Sequence, residues 1–192
     1  QVPTALRAIP SQEPSALPTQ VDCKSTAALP TTQHTVSAEV SYGYHRAVVH
    51  QQVRTINRGS EPLTQVVFDV EANRFPGIFT LDAVATDHGA QAYELTGRRL
   101  TVDLLDAFAP GCTLVVDLDF HLAIPAIGEE NGYLGYSQNQ LNLGHWLPML
   151  AARRDGEWIT HEVSAIGEQT VVEIADWDVT LTVTDAPTGL IV

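Results

Sequence analysis

The chain has 192 residues, 44% of them hydrophobic, enough for one domain with a sizeable core and too many for wholesale disorder. Ten basic against 23 acidic residues give a formal net charge of −13, a field that repels phosphate backbones and anionic lipid and argues against nucleic-acid binding and polybasic membrane docking. No apolar run approaches the roughly 18 to 20 residues that cross a bilayer, and no charged-then-apolar leader opens the sequence.

Residues 1–32 hold five of the eleven prolines among Ser, Thr, Gln and Ala. Proline lacks a backbone donor and favours extended geometry, so this stretch reads as a Pro-rich tether or arm in front of a folded body over 33–192. From Gln33 the pattern becomes period two. Strands are expected near 34–42, 46–57, 64–71, 78–86, 90–95, 99–105, 112–124, 157–163 and 170–184. Turn residues such as Asn57-Arg58-Gly59-Ser60, Asp87-His88-Gly89, Thr96-Gly97 and Pro110-Gly111 separate them. The clearest strand puts Leu114, Val116, Leu118, Phe120, Leu122 and Ile124 on one face and Asp117, Asp119 and His121 on the other. One apolar face and one wet face is what a sandwich sheet requires. Trp177, Val179, Leu181 and Val183 alternate with Asp178, Thr180, Thr182 and Thr184 in the same way, which reads Trp177 as core. Pro148 argues against a helix across the ambiguous stretch 141–154. The fold class is therefore all-β, an antiparallel β-sandwich behind an irregular arm. The apolar triplet Leu190-Ile191-Val192 reads as the start of a further strand, so the chain is expected to be cut from a longer polypeptide.

Cys23 and Cys112 are too few for a metal site. A long-range disulfide formed in an oxidising compartment and two unrelated free thiols are both open.

Chemistry-bearing constellations are sparse. His161-Glu162 begins a zinc-peptidase pattern, but the second histidine should fall where Ala165 stands, and the segment reads as a strand. The other six histidines show no ligand spacing, and there is no Gly-x-Ser-x-Gly elbow or phosphate-binding glycine loop. Asp117 and Asp119 on one strand face read as solvated charges. The long excursion from Pro125 to Pro148, with Tyr133, Tyr136, Gln138 and Gln140, has the composition of either a ligand-contacting loop or an ordinary connection with its tyrosines packed down.

The order of these features resembles the saddle-shaped N-terminal β-domain of the M1 zinc aminopeptidases. The resemblance rests on Val49-His50-Gln51-Gln52-Val53 ending at Asn57, Pro62-Leu63, Leu100-Thr101-Val102, Pro110-Gly111 and the strand ending at Ile124-Pro125. The Tyr-Gly loop, Trp146-Leu147-Pro148-Met149-Leu150-Ala151, Gly156-Glu157-Trp158, Ile166-Gly167 and Ala175-Asp176-Trp177-Asp178-Val179 continue it. It implies a non-catalytic domain of an exported metallopeptidase, secreted or on the cell surface, that shapes the substrate entrance and supports a C-terminal catalytic domain. Peptide substrate and that domain are the implied partners, with no nucleic acid and no membrane span. Zinc and the catalytic glutamate would belong to the catalytic domain, so no cofactor and no turnover are expected of these 192 residues. Gln138 and Gln140 match the family's Gln-x-Gln that helps hold a substrate's free amino group. The Phe-Asp-x-Pro usual after the proline is replaced by Leu150-Ala151-Ala152-Arg153. An apolar docking face is implied, with some self-association when the chain is alone. The rival reading is a stand-alone surface module binding carbohydrate or peptide on a platform of Trp146, Trp158, Trp177, Tyr133 and Tyr136.

Overall fold

A computed structural model describes Cys23 and residues 31–160 and 171–189. In chain order the strands are β1 (Thr32–Ser41), β2 (Arg46–Ile56), β3 (Leu63–Asp69), β4 (Phe79–Thr86), β5 (Ala90–Thr96), β6 (Arg99–Phe108) and β7 (Thr113–Ala123). The short strands β8 (Leu134–Ser137), β9 (Gln140–Leu143), β10 (Met149–Leu150), β11 (Ala152–Arg154) and β12 (Glu157–Ile159) follow, and β13 (Ala175–Thr184) comes last. Among the described residues one 3-10 turn, Glu71–Arg74, interrupts them. No helix among the described residues is long and apolar enough to cross a membrane.

Period two is the reason for this architecture. Along β7 and just past its end all six alternating apolar residues from Leu114 to Ile124 are buried, while Asp119 and Ala123 on the other face are exposed. β1 and β2 repeat the pattern with Val36, Ala38, Val40, Ala47, Val49 and Val53 inward. The strands form a five-stranded sheet in the order β13-β1-β2-β7-β4 and a four-stranded sheet in the order β10-β3-β6-β5. Phe68, Leu100, Val102 and Phe108 from the second sheet meet Val36, Leu118 and Phe120 from the first in one core. The all-β sandwich is as expected from the alternation.

Three details differ from the sequence reading. The first sheet is mixed, because β13 runs parallel to β1, from Thr32 opposite Ala175 to Ser41 opposite Thr184. Side chains alternate identically in parallel and antiparallel strands, so periodicity carries no sign of direction. The excursion from Pro125 to Pro148 contains a hairpin, β8–β9, with Gln138-Asn139 at its turn. Trp177 is not core: it is 39% exposed and Val179 is 46% exposed. β13 is the outer strand of the wider sheet, and the facing sheet ends in the two-residue β10, so the inward side of β13 is left partly uncovered.

Cys23 and Cys112 are joined by a disulfide that closes a sequence separation of 89 residues. Of the two options left by the sequence, the bond is the one realised, and it anchors the chain at Cys23 to the buried start of β7. His161, Glu162, Ala165 and the Ile166-Gly167 pair lie outside the described residues, as does the terminal triplet at 190–192.

Candidate functional site

The partly covered side of β13 forms one wall of a cleft of about 550 Å³, with Trp177 and Val179 on that wall. The opposite wall is the segment leaving the β8–β9 hairpin, which contributes Trp146, Leu147 and Met149. Two contacts set that segment. Gly144 lies so close to the backbone of Tyr133 that a Cβ would sit 2.7 Å from its carbonyl oxygen, so any other residue would force the chain apart. His145 then adopts a left-handed conformation at φ 51°, which turns the chain toward the cleft.

Beneath this wall Gln51 of β2 is fully buried. Its amide nitrogen donates to the carbonyl oxygen of Pro148 at 2.8 Å and lies 2.8 Å from Nδ1 of His34 on β1. With Nδ1 accepting, the imidazole proton sits on Nε2. The buried ring stacks on Trp177 with centroids 4.0 Å apart. Burial pulls the His34 pKa down from 6.5 to about 4, so the ring is neutral at physiological pH. Gln51 thus ties the Trp146–Met149 wall to the first sheet, and His34 supports the indole of the other wall.

The cleft also holds two carboxylates, Asp69 and Glu71. Neither is free for acid–base work. Arg98 donates through Nε to Oδ1 of Asp69 at 2.9 Å and through Nη2 to Oδ2 at 2.5 Å, a bidentate pair. Its Nε also lies 2.8 Å from Oε2 of Glu71. The Tyr133 hydroxyl donates to Oε1 of Glu71 at 2.7 Å, and Nη1 of Arg74 is 3.7 Å from the same oxygen. Burial, and then the hydrogen bond and charge of Glu71, push the Tyr133 pKa up to about 12. Two guanidinium groups therefore offset two carboxylates, and what remains in the cleft is apolar and aromatic.

Gln138 and Gln140 stand elsewhere, at the exposed tip of the β8–β9 hairpin. Gln138 borders a shallow hollow shared with Tyr42 and the turn Asp185–Gly189. Neither amide makes a side-chain hydrogen bond to another described residue. The first strand of the hairpin is held close to its tip, where Ile127 N–H donates to Tyr136 O and Tyr136 N–H to Pro125 O, both at 2.8 Å.

The aromatic residues of the rival reading are dispersed. Trp146 and Trp177 share the cleft, and Trp158 lines a separate hollow near Asn57. Tyr133 is bonded to Glu71, and Tyr136 is stacked on His45 at 3.4 Å. On the outer face of the first sheet, Asp119 lies 2.7 Å from His50 Nδ1, Asp117 accepts from Gln52 at 2.9 Å, and His121 lies 2.9 Å from Asp82. These carboxylates are engaged in hydrogen bonds on the sheet surface. Among the described residues no three of His, Cys, Asp and Glu are grouped so as to hold a metal ion, so no metal-dependent step is assigned to them.

The sequence singled out the hairpin amides and the tryptophans but missed His34 and Gln51. Each carries a polar side chain at an inward position of a strand, and that break in the alternation was the available signal.

No family model matches the sequence. No curated protein matches it either. Among solved structures, the chain is similar to the M1 zinc metallopeptidase from Deinococcus radiodurans, at 16% identity and a TM-score of 0.40 over 50% of this chain and 22% of that one. It is also similar to a mutant of an M1 zinc metallopeptidase from the same organism bound to a Tyr-Ser-Ala substrate, at 14% identity and a TM-score of 0.45 over 62% and 29%. A two-domain M1 zinc metallopeptidase mutant bound to L-tryptophan gives 16% identity and a TM-score of 0.41 over 54% and 23%. The matched region spans less than a third of the length of each of these structures.

Proposed function

We propose that this chain is the non-catalytic β-domain of an exported, M1-like zinc metallopeptidase, bordering the substrate entrance and supporting a separate catalytic domain that carries the zinc. The observation that carries the reading is the β8–β9 hairpin tip. Gln138 and Gln140 are exposed there, on a hairpin whose first strand is bonded through Tyr136 to Pro125 and Ile127. An amide oxygen accepts hydrogen bonds from an ammonium group. An acceptor that no other described residue engages is available to a peptide amino terminus held by a neighbouring domain.

Two further features support parts of the reading. The collinear order of sequence features from Val49 to Val179 supports the family. The Cys23–Cys112 disulfide supports export, since such bonds persist in oxidising compartments.

The test uses the protein in which this chain is joined to its catalytic domain. Replacing both amides (Gln138→Ala with Gln140→Ala) is expected to raise KM for substrates with a free α-amino group about tenfold, the effect of losing one hydrogen bond to a charged group. The kcat should stay within about twofold, and the unfolding midpoint should not move because both side chains are exposed. An unchanged KM would remove the substrate-holding role.

A further inference from the structure

β13 carries features of a strand that accepts another strand. It runs ten residues without a register shift against β1 and contains no lysine or proline. It is paired on one side only among the described residues. Natural edge strands are blunted by bulges, proline or lysine, and by charges that point inward. β13 has none of these: the side chains on its inward face are Trp177, Val179, Leu181 and Val183.

The two faces of this edge specify different chemistry. Inward, Trp177 and Val179 open onto the apolar cleft opposite Trp146 and Leu147. Outward, Asp176 and Asp178 are both exposed, on a chain of net charge −13. A strand laid beside β13 places its own side chains about 5 Å from these, alternating between cleft and solvent. Opposite charges across such a pair stabilise it and like charges oppose it. A second copy of β13 laid parallel in register sets Asp176 and Asp178 beside their own copies, and one laid antiparallel about Thr180 offers them Thr184 and Thr182, so neither supplies the opposite charge that a basic segment does.

We propose that the edge of β13 that no other described strand pairs, with the adjoining cleft, forms a strand-addition site for an extended peptide segment in which apolar residues alternate with lysine or arginine. The apolar residues enter the cleft between Trp177, Val179 and Trp146, and the basic residues lie along Asp176 and Asp178. Backbone bonds to the edge supply affinity, and the alternation supplies specificity. The site does not depend on the metallopeptidase reading, and the 192-residue chain alone suffices to examine it.

The experiment titrates the chain with two acetylated eight-residue peptides, one alternating valine with lysine and the other valine with glutamate, followed by tryptophan fluorescence and calorimetry. The lysine peptide is expected to bind at least tenfold more tightly than the glutamate peptide. The double variant Asp176→Lys with Asp178→Lys should invert that preference. Val179→Lys, which puts a charge at the cleft wall, should abolish binding of the lysine peptide. Circular dichroism and the unfolding midpoint check that both variants fold; where the double variant fails this check, Val179→Lys decides alone. Equal binding of the two peptides would mean that Asp176 and Asp178 do not select the segment, and lysine-peptide binding that survives Val179→Lys would mean charge attraction alone; either would overturn the proposal.

Discussion

A polar residue at a core position costs least when its hydrogen bonds are met, and His34 and Gln51 meet theirs in part, the Gln51 amide nitrogen bonding His34 and the Pro148 carbonyl while Gln51 Oε1 has no partner among the described residues. The arrangement requires a neutral imidazole, and that makes it sensitive to acid. In the unfolded chain His34 takes up a proton near pH 6.5, and in the folded protein only near 4. Between these values the unfolded state binds more protons, so stability falls as the pH falls. The contribution of His34 is present in full above about pH 6.5 and is lost progressively toward pH 4, an amount of about 3 kcal/mol at one unit of pKa per 1.36 kcal/mol. Urea unfolding of His34→Gln against the parent chain should show a shallower loss of stability over that window. Equal slopes would mean that the imidazole is not buried neutral. The same stacking contact makes Trp177 fluorescence a reporter of the transition. Neither residue could be recognised from sequence as a pair: seventeen positions separate them, and only the β1–β2 register brings them together.

At the level of elements, long alternating runs were legible and short ones were not. β7 shows its faces over eleven residues, enough for five apolar positions in phase, with Ile124 continuing them just past its end. β8 and β9 have four residues each, and their turn, Gln138-Asn139, lacks the glycine that usually marks a two-residue hairpin loop. Position 144 does need glycine, but for the close approach of Tyr133, a contact that sequence reading does not anticipate. The Cys23–Cys112 bond is likewise a pairing of distant elements. Its loop is long, so reduction or Cys23→Ser should lower stability by about 2–5 kcal/mol, read as a drop in urea midpoint with a steeper slope as the unfolded chain expands. A midpoint insensitive to reductant would show that the Cys23 segment adds nothing to the stability of the sandwich.

For the whole molecule, the alternation of apolar and polar residues was enough to give two sheets around one core, because a sheet with one apolar face has to bury it against another. It was not enough to say how well the sheets match in width. That mismatch decides the exposure of Trp177 and Val179, and it turns a strand that reads as core into the wall of a cleft. The carboxylates of the cleft are paired with guanidinium groups, and on the outer sheet face Asp119 and Asp82 lie beside His50 and His121. Amides at a hairpin tip and an apolar edge are what the molecule presents outward, and both suit contacts with another polypeptide.

The central claim is that this sandwich supports chemistry carried out in another domain. Release of amine from aminoacyl substrates, followed with the zinc-supplemented 192-residue chain and with the polypeptide that adds the catalytic domain, tests it most directly. The account predicts chelator-sensitive turnover by the longer polypeptide and none above the buffer rate by the 192-residue chain. Chelator-sensitive turnover by the 192-residue chain alone would contradict it.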